Sequence, residues 1–181
     1  MTTKKATPSW TSVKTRLADL DHKSLLGLIQ DLYAASKDNQ AFLHTRLRLG
    51  DDVLEPYKAA IDRWLWPDAF KNQDTSVAKA KKAIADYKKA SGTTDGLAEL
   101  MVFYCERASG FSCDVSLDDE AYLSALVRMF EQALKAVATM PETLRPALWT
   151  RLRMVRGRSH DIGYGVGEDM DALLTEHGAD G

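Results

Sequence analysis

"SLDDEAYLSALVRMFEQALKAVATM", Ser116–Met140, is the stretch whose periodicity decides the fold. Tyr122, Leu126, Met129, Phe130, Ala133 and Val137 recur at steps of three and four, which places them on one side of a helix. A half-buried strand would need strict alternation of apolar and polar residues instead. The acids at the start of the stretch suit the positive end of a helix dipole. The spacing predicts a helix here, the longest of the chain.

The same period recurs on both sides. Downstream, Pro141 fits the first turn of a helix carrying Leu144, Leu148, Leu152 and Val155 inward and stopping near Gly157. A short last helix runs from about Glu168 to His177. Upstream, "GLAELMVFYCERASG" has Leu97, Leu100, Met101, Tyr104, Cys105 and Ala108 on one stripe, with Gly110 as its stop and Cys105 inside the core. "TSVAKAKKAIADYKKASG" is helical by its alanine and lysine content as well as its pattern, with Thr75 or Ser76 as cap and Gly92 as stop.

Nearer the N-terminus, Val53, Leu54, Tyr57, Ile61, Trp64 and Leu65 form a stripe ended by Pro67, with Asp51 or Asp52 as cap. Phe42, Leu43 and Leu47 follow the polar break "SKDNQ" and precede Gly50, a residue suited to the left-handed end of a helix. Asp21 caps a helix bearing Leu25, Leu26, Ile29, Leu32 and Tyr33, and Trp10, Val13, Leu17 and Leu20 mark a first short one.

No run alternates in the manner of a strand, so the fold class is all-α, with about eight or nine helices. Short loops make antiparallel neighbours, either in a multi-helix bundle or in a short superhelical array of helix pairs. A faint echo between "LDHKSLLGLI" and "LDDEAYLSALV" hints at the array. The 181 residues fit one domain, taken as 11–178 after a flexible arm over 1–10.

Composition excludes several function classes. At 45% apolar and 28% charged, the chain has the make-up of a folded protein whose core needs no metal or disulfide. Its net charge of −2 gives no overall field toward nucleic acid or anionic lipid. Cys105 and Cys113 are a poor fit to a disulfide framework. "MTTKKATPSW" has lysines but no apolar run after them, and nothing approaches the length of a membrane span, which together predict a cytoplasmic protein with no membrane partner.

"HDIGYGVGED", His160–Asp169, is the one glycine-rich stretch. Phosphate loops place such a turn between a buried strand and a helix N-terminus aimed at the anion, but no strand precedes Gly163 and acids open the helix that follows. The expected role is a compact turn in which Gly163, Gly165 and Gly167 bend the backbone while Ile162, Tyr164 and Val166 pack inward. The four histidines show no i, i+4 metal pair, and the acids here lack an EF-hand pattern, so neither metal nor other cofactor is expected. Ser159, His160 and Asp161 are consecutive, which prevents triad geometry, and Glu106 and Arg107 read as surface charges at a helix end. Enzyme activity is not expected.

The strongest candidate surface is "RPALWTRLRMVRGR", where Arg145, Trp149, Arg153 and Arg156 fall in one quadrant and Arg158 lies just beyond. Five arginines and one acid occur from Pro141 to His160, whereas the chain from Asp161 has six acids and no lysine or arginine. An arginine face around a tryptophan suits nucleic acid or an acidic peptide. The acidic last helix can also fold back and neutralise it, and partial pairing with Trp149 at least half buried is expected.

"SLLGLIQDLYAAS", "AKKAIADYKKASGTTDGLAELMVFYCERA" and "IGYGVGEDMDALL" together resemble a small bacterial family of uncharacterised all-helical proteins, a domain of unknown function. The resemblance spans about Leu20 to Leu174 and implies a single helical domain found in bacteria. It brings no activity and no functional residue. Function then reads first as a non-enzymatic helical module that binds a protein or peptide. The second reading is a nucleic-acid-binding or regulatory protein using the arginine face.

Overall fold

The computed structural model describes residues 7–68, 71 and 73–177; part of the expected arm, 1–6, and Gly178 lie outside the described residues. Among these, the chain forms nine α-helices and no strand. The helices divide between two compact units, Met1–Leu43 and His44–Gly181, where the sequence suggests one domain over 11–178.

The first unit holds α1 (Trp10–Ala18), α2 (His22–Ala35) and the start of α3 (Lys37–Leu47). Ser9 caps α1 and Asp21 caps α2, its carboxylate accepting from the Ser24 amide at 2.7 Å. The "SKDNQ" break is shorter than the sequence suggests. Only Ser36 leaves the helical path; its hydroxyl accepts from the Asn39 amide, and the Asn39 and Gln40 side chains donate to the Leu32 and Tyr33 carbonyls that end α2. Neither α1 nor α2 buries a residue.

The second unit carries the core, built from α4 (Glu55–Leu65), α5 (Val77–Ala90), α6 (Thr94–Val115), α7 (Glu120–Ala138), α8 (Arg145–Ser159) and α9 (Val166–Glu176). Successive helices pair as α4 with α5, α6 with α7, and α8 with α9, and α6 also packs on α4, α5 and α8. That position explains the pattern of α6. Leu100, Val102, Tyr104, Cys105 and Ala108 are all buried, so its apolar residues occupy more than one face.

Several boundaries differ from the sequence expectation, each for a packing reason. The longest helix is α6, at 22 residues against 19 for α7, because α6 does not stop at Gly110. A Cβ there would stand 2.5 Å from the Trp66 ring, so this glycine admits a neighbour and the helix continues to Ser116, which takes the left-handed cap at φ 49°. Pro141 precedes a 3₁₀ turn, Glu142–Leu144; the proline in the first turn of α8 is Pro146. Helix α8 also passes through Gly157 to Ser159, and α9 begins two residues before the expected start.

Buried polar groups are mostly paired. The Tyr122 hydroxyl donates to the Leu65 carbonyl, an orphan acceptor at the end of α4, at 2.9 Å. Thr45 and Tyr57 share a hydrogen bond at 3.1 Å. The Tyr104 hydroxyl, Arg63 Nη1 and His177 Nε2 are exceptions, buried with no hydrogen-bond partner among the described residues, and burial pushes the Tyr104 pKa far up.

Candidate functional site

Helix α8 sends its arginines in different directions. Arg145 turns back, its Nε donating to the Met140 carbonyl at 2.7 Å, so it closes the end of α7. Trp149 is half-buried, as expected, and Arg153 is exposed. Arg156 hydrogen-bonds Asp171 of α9, whose other oxygen lies 3.3 Å from His160 Nε2. That contact with Arg156 holds the Asp171 carboxyl below its ordinary pKa. The acidic last helix therefore does fold onto part of the arginine face.

Arg151 organises the opposite side of α8. Its guanidinium forks onto both oxygens of Glu106 at 2.7 Å each and reaches Glu99 at 2.5 Å. Lys58 of α4 meets the other Glu99 oxygen at 2.8 Å, so one ion network ties α4, α6 and α8 together. Burial would raise the Glu99 pKa, but the hydrogen bonds from Arg151 and Lys58 outweigh it and hold the carboxyl below the usual value. The Glu106 fork pushes the Arg151 pKa further up. Glu106 lies mid-helix in this network and Arg107 pairs with Asp62 at 2.5 Å, so neither is a loose charge at a helix end.

Above this network lies a groove of about 400 Å³ between α6, α8 and the residue that follows α4. Trp66 and Phe103 supply its aromatic wall, with Arg107 stacked 4.1 Å above the Trp66 ring centre. Met154 stands on its rim, 65% exposed. Arg158 runs along α6 beside Trp66, its guanidinium 3.2 Å from where a Gly110 Cβ would be. No carboxylate among the described residues pairs with Arg158. A second hollow of about 530 Å³ shares Trp66, Phe103 and Arg107 and extends the groove along α4.

Of the predicted face, only Arg158 lines this groove; Arg145 and Arg156 are engaged elsewhere. Arg151, Met154 and Arg158 recur at steps of three and four, so a face offset from the predicted one carries the site. The matching signal on α6 was also in the sequence, since Glu99, Phe103 and Glu106 share a stripe. Trp66 had no such signal. It lies in the link after α4, and only tertiary packing brings it to Gly110.

The glycine-rich turn needs correction at two positions. Tyr164, expected inside, is 59% exposed and itself takes a left-handed φ of 61°, while its hydroxyl donates to the Asp118 carboxylate. Of the three glycines only Gly165 has positive φ, at 69°. Gly163 has open space where a side chain would go, whereas a Cβ on Gly167 would stand 2.6 Å from His160 Nδ1. Ile162 and Val166 are buried as expected.

The groups considered for chemistry diverge. Ser159 is buried and donates to the Val155 carbonyl, while its neighbour His160 faces Asp171. Burial raises the Cys105 pKa well above that of a free thiol, which keeps the sulfur protonated and inert. Burial is also the main cause raising that of Cys113, whose thiol faces the Arg158 carbonyl at 3.6 Å. Among the described residues, no group of three His, Cys, Asp or Glu is placed to hold a metal, and no helix is long and apolar enough to cross a membrane. Comparison with protein-family models, curated proteins and solved structures finds no match for this chain.

Proposed function

We propose that this chain is a non-enzymatic interaction module whose groove between α4, α6 and α8 receives a protein segment with an acidic side chain beside an apolar one. The observation that carries this reading is the rim itself. Met154 stands exposed between an aromatic wall and the Arg158 guanidinium, which no described carboxylate neutralises. Burying a flexible thioether and an aromatic edge supplies affinity, and a fork onto a carboxylate supplies direction.

The nucleic-acid reading of α8 is weakened, because Arg156 is committed to α9 and Arg145 to the end of α7. Acidic-aromatic peptides on an array should bind the full chain, and Met154→Glu or Arg158→Glu should reduce binding at least tenfold without shifting the melting temperature. Labelled duplex DNA and single-stranded RNA should not bind at low salt. Nucleic-acid binding lost in an Arg153→Ala, Arg156→Ala variant would replace the proposal with the alternative.

A further inference from the structure

Helices α5 and α7 both pack on α6 but not closely on one another, and a hollow of about 480 Å³ opens between them. All of its lining residues belong to the second unit. Lys81 lines it from α5 and Arg128 from α7. Nearby lysines on the same two helices are paired, Lys82 with Asp86 and Lys135 with Glu131. Lys81 and Arg128 have no carboxylate partner among the described residues, and Lys81 instead feels the charge of Arg128. Burial first, and then that charge, hold the Lys81 pKa below that of a free lysine. Two like charges on one hollow repel, and an anion between them turns the interaction to attraction.

We infer that this hollow binds a small organic acid, whose carboxylate bridges Lys81 and Arg128 while its apolar body rests on Val77, Ala78, Ala121 and Ala125. The chain already contains this chemistry at another place. Glu99 takes Arg151 on one oxygen at 2.5 Å and Lys58 on the other at 2.8 Å, so one carboxylate satisfies an arginine and a lysine from two different helices.

Charge selects the same class. Asp119 is the only acid lining the hollow, and its carboxylate accepts from the Tyr122 amide at 3.0 Å as the cap of α7. Two cations and one acid leave one net positive charge, which a single carboxylate neutralises. A phosphate monoester, with roughly 1.5 to 2 negative charges at neutral pH, would overshoot it beside Asp119. The volume also lies within the roughly 300–1,000 Å³ of small-molecule sites.

The test is titration of the full chain with benzoate, followed by backbone amide shifts. A saturable change is expected over residues 75–81 and 119–128. Benzamide, which keeps the ring without the charge, should bind at least tenfold more weakly, and phenyl phosphate no more tightly than benzoate. Because neither cation has a carboxylate partner in the protein, Lys81→Met and Arg128→Met should each fold normally and weaken benzoate binding at least fivefold, whereas Lys81→Arg should retain it. Lys88→Met with Lys89→Met removes two exposed cations elsewhere on α5 and should leave binding unchanged. No saturable shift overturns the inference, and so does an equal loss in the Lys88, Lys89 variant, which would reduce the effect to the general charge of α5. Tighter binding of phenyl phosphate overturns the assignment to a carboxylate. Met154→Glu, which impairs the α4–α6–α8 groove, should leave benzoate binding intact, so the two sites stand or fall separately.

Discussion

Arg151 shows how one side chain can matter more than its exposure suggests. It holds two glutamates that α6 places seven residues apart, and both are only a fifth to a third exposed. Arg151→Met would leave two part-buried carboxylates facing each other, and a loss of about 2 kcal/mol is expected, of the order seen when hydrogen bonds to charged groups are broken. The pH dependence has a definite sign. Glu99 has a folded pKa below its unfolded value, so its stabilisation is present above the unfolded value and is lost as pH falls through the folded one. Chemical denaturation of both proteins should therefore show a gap that is full at neutral pH and narrows below the carboxylate range. Tyr104 gives the opposite case. Its buried hydroxyl has no described partner, so Tyr104→Phe should leave stability unchanged or raise it, and a loss of more than about 1 kcal/mol in denaturant titration would reveal a partner.

Among the elements, the glycines separate what a local pattern encodes from what packing adds. Gly110→Ala should cost about 1–3 kcal/mol by overpacking against Trp66, although alanine is the better helix former by about 1 kcal/mol. Gly163→Ala should be close to neutral, since nothing lies within 4 Å of the added carbon. Gly167→Val should destabilise, because the new side chain would meet both the ring and the backbone of His160. Thermal melts of the three variants check the order. Helix identity was legible because caps and stripes act within a few residues: Asp21, Ser76 and Asp119 each cap the helix that follows, as Asp21 and Ser76 suggested. Boundaries were less so. A glycine marks a stop in the absence of other information, and the ring that makes Gly110 a contact instead comes from 44 residues away. The site followed the same rule. The arginine content of α8 was plain, but which arginines stay available depends on acids of α6 and α9 that only the fold brings near.

At the scale of the molecule, the charge asymmetry between α8 and α9 gives the direction of docking but not its main energy. Arg156 and Asp171 are each about two-fifths exposed, and ion pairs in such positions contribute little because water and salt screen them. Beneath them, Val166, Met170 and Leu174 are almost wholly buried. Full burial of each such side chain is worth roughly 1.5–3 kcal/mol as an upper estimate, so the apolar face dominates the seat of α9. Truncation after Gly167 removes Met170 and Leu174 together, and a loss of about 3–6 kcal/mol is expected, seen as a markedly lower melting temperature and new exposure of Leu152 and Val155. Asp171→Asn should move the melting temperature far less, and 1 M salt should leave α9 protected from hydrogen exchange. If instead the single substitution or high salt releases α9 as completely as truncation does, electrostatic attraction holds the helix. The α8 arginines would then be open to an anionic partner whenever salt or a competitor displaces the acids.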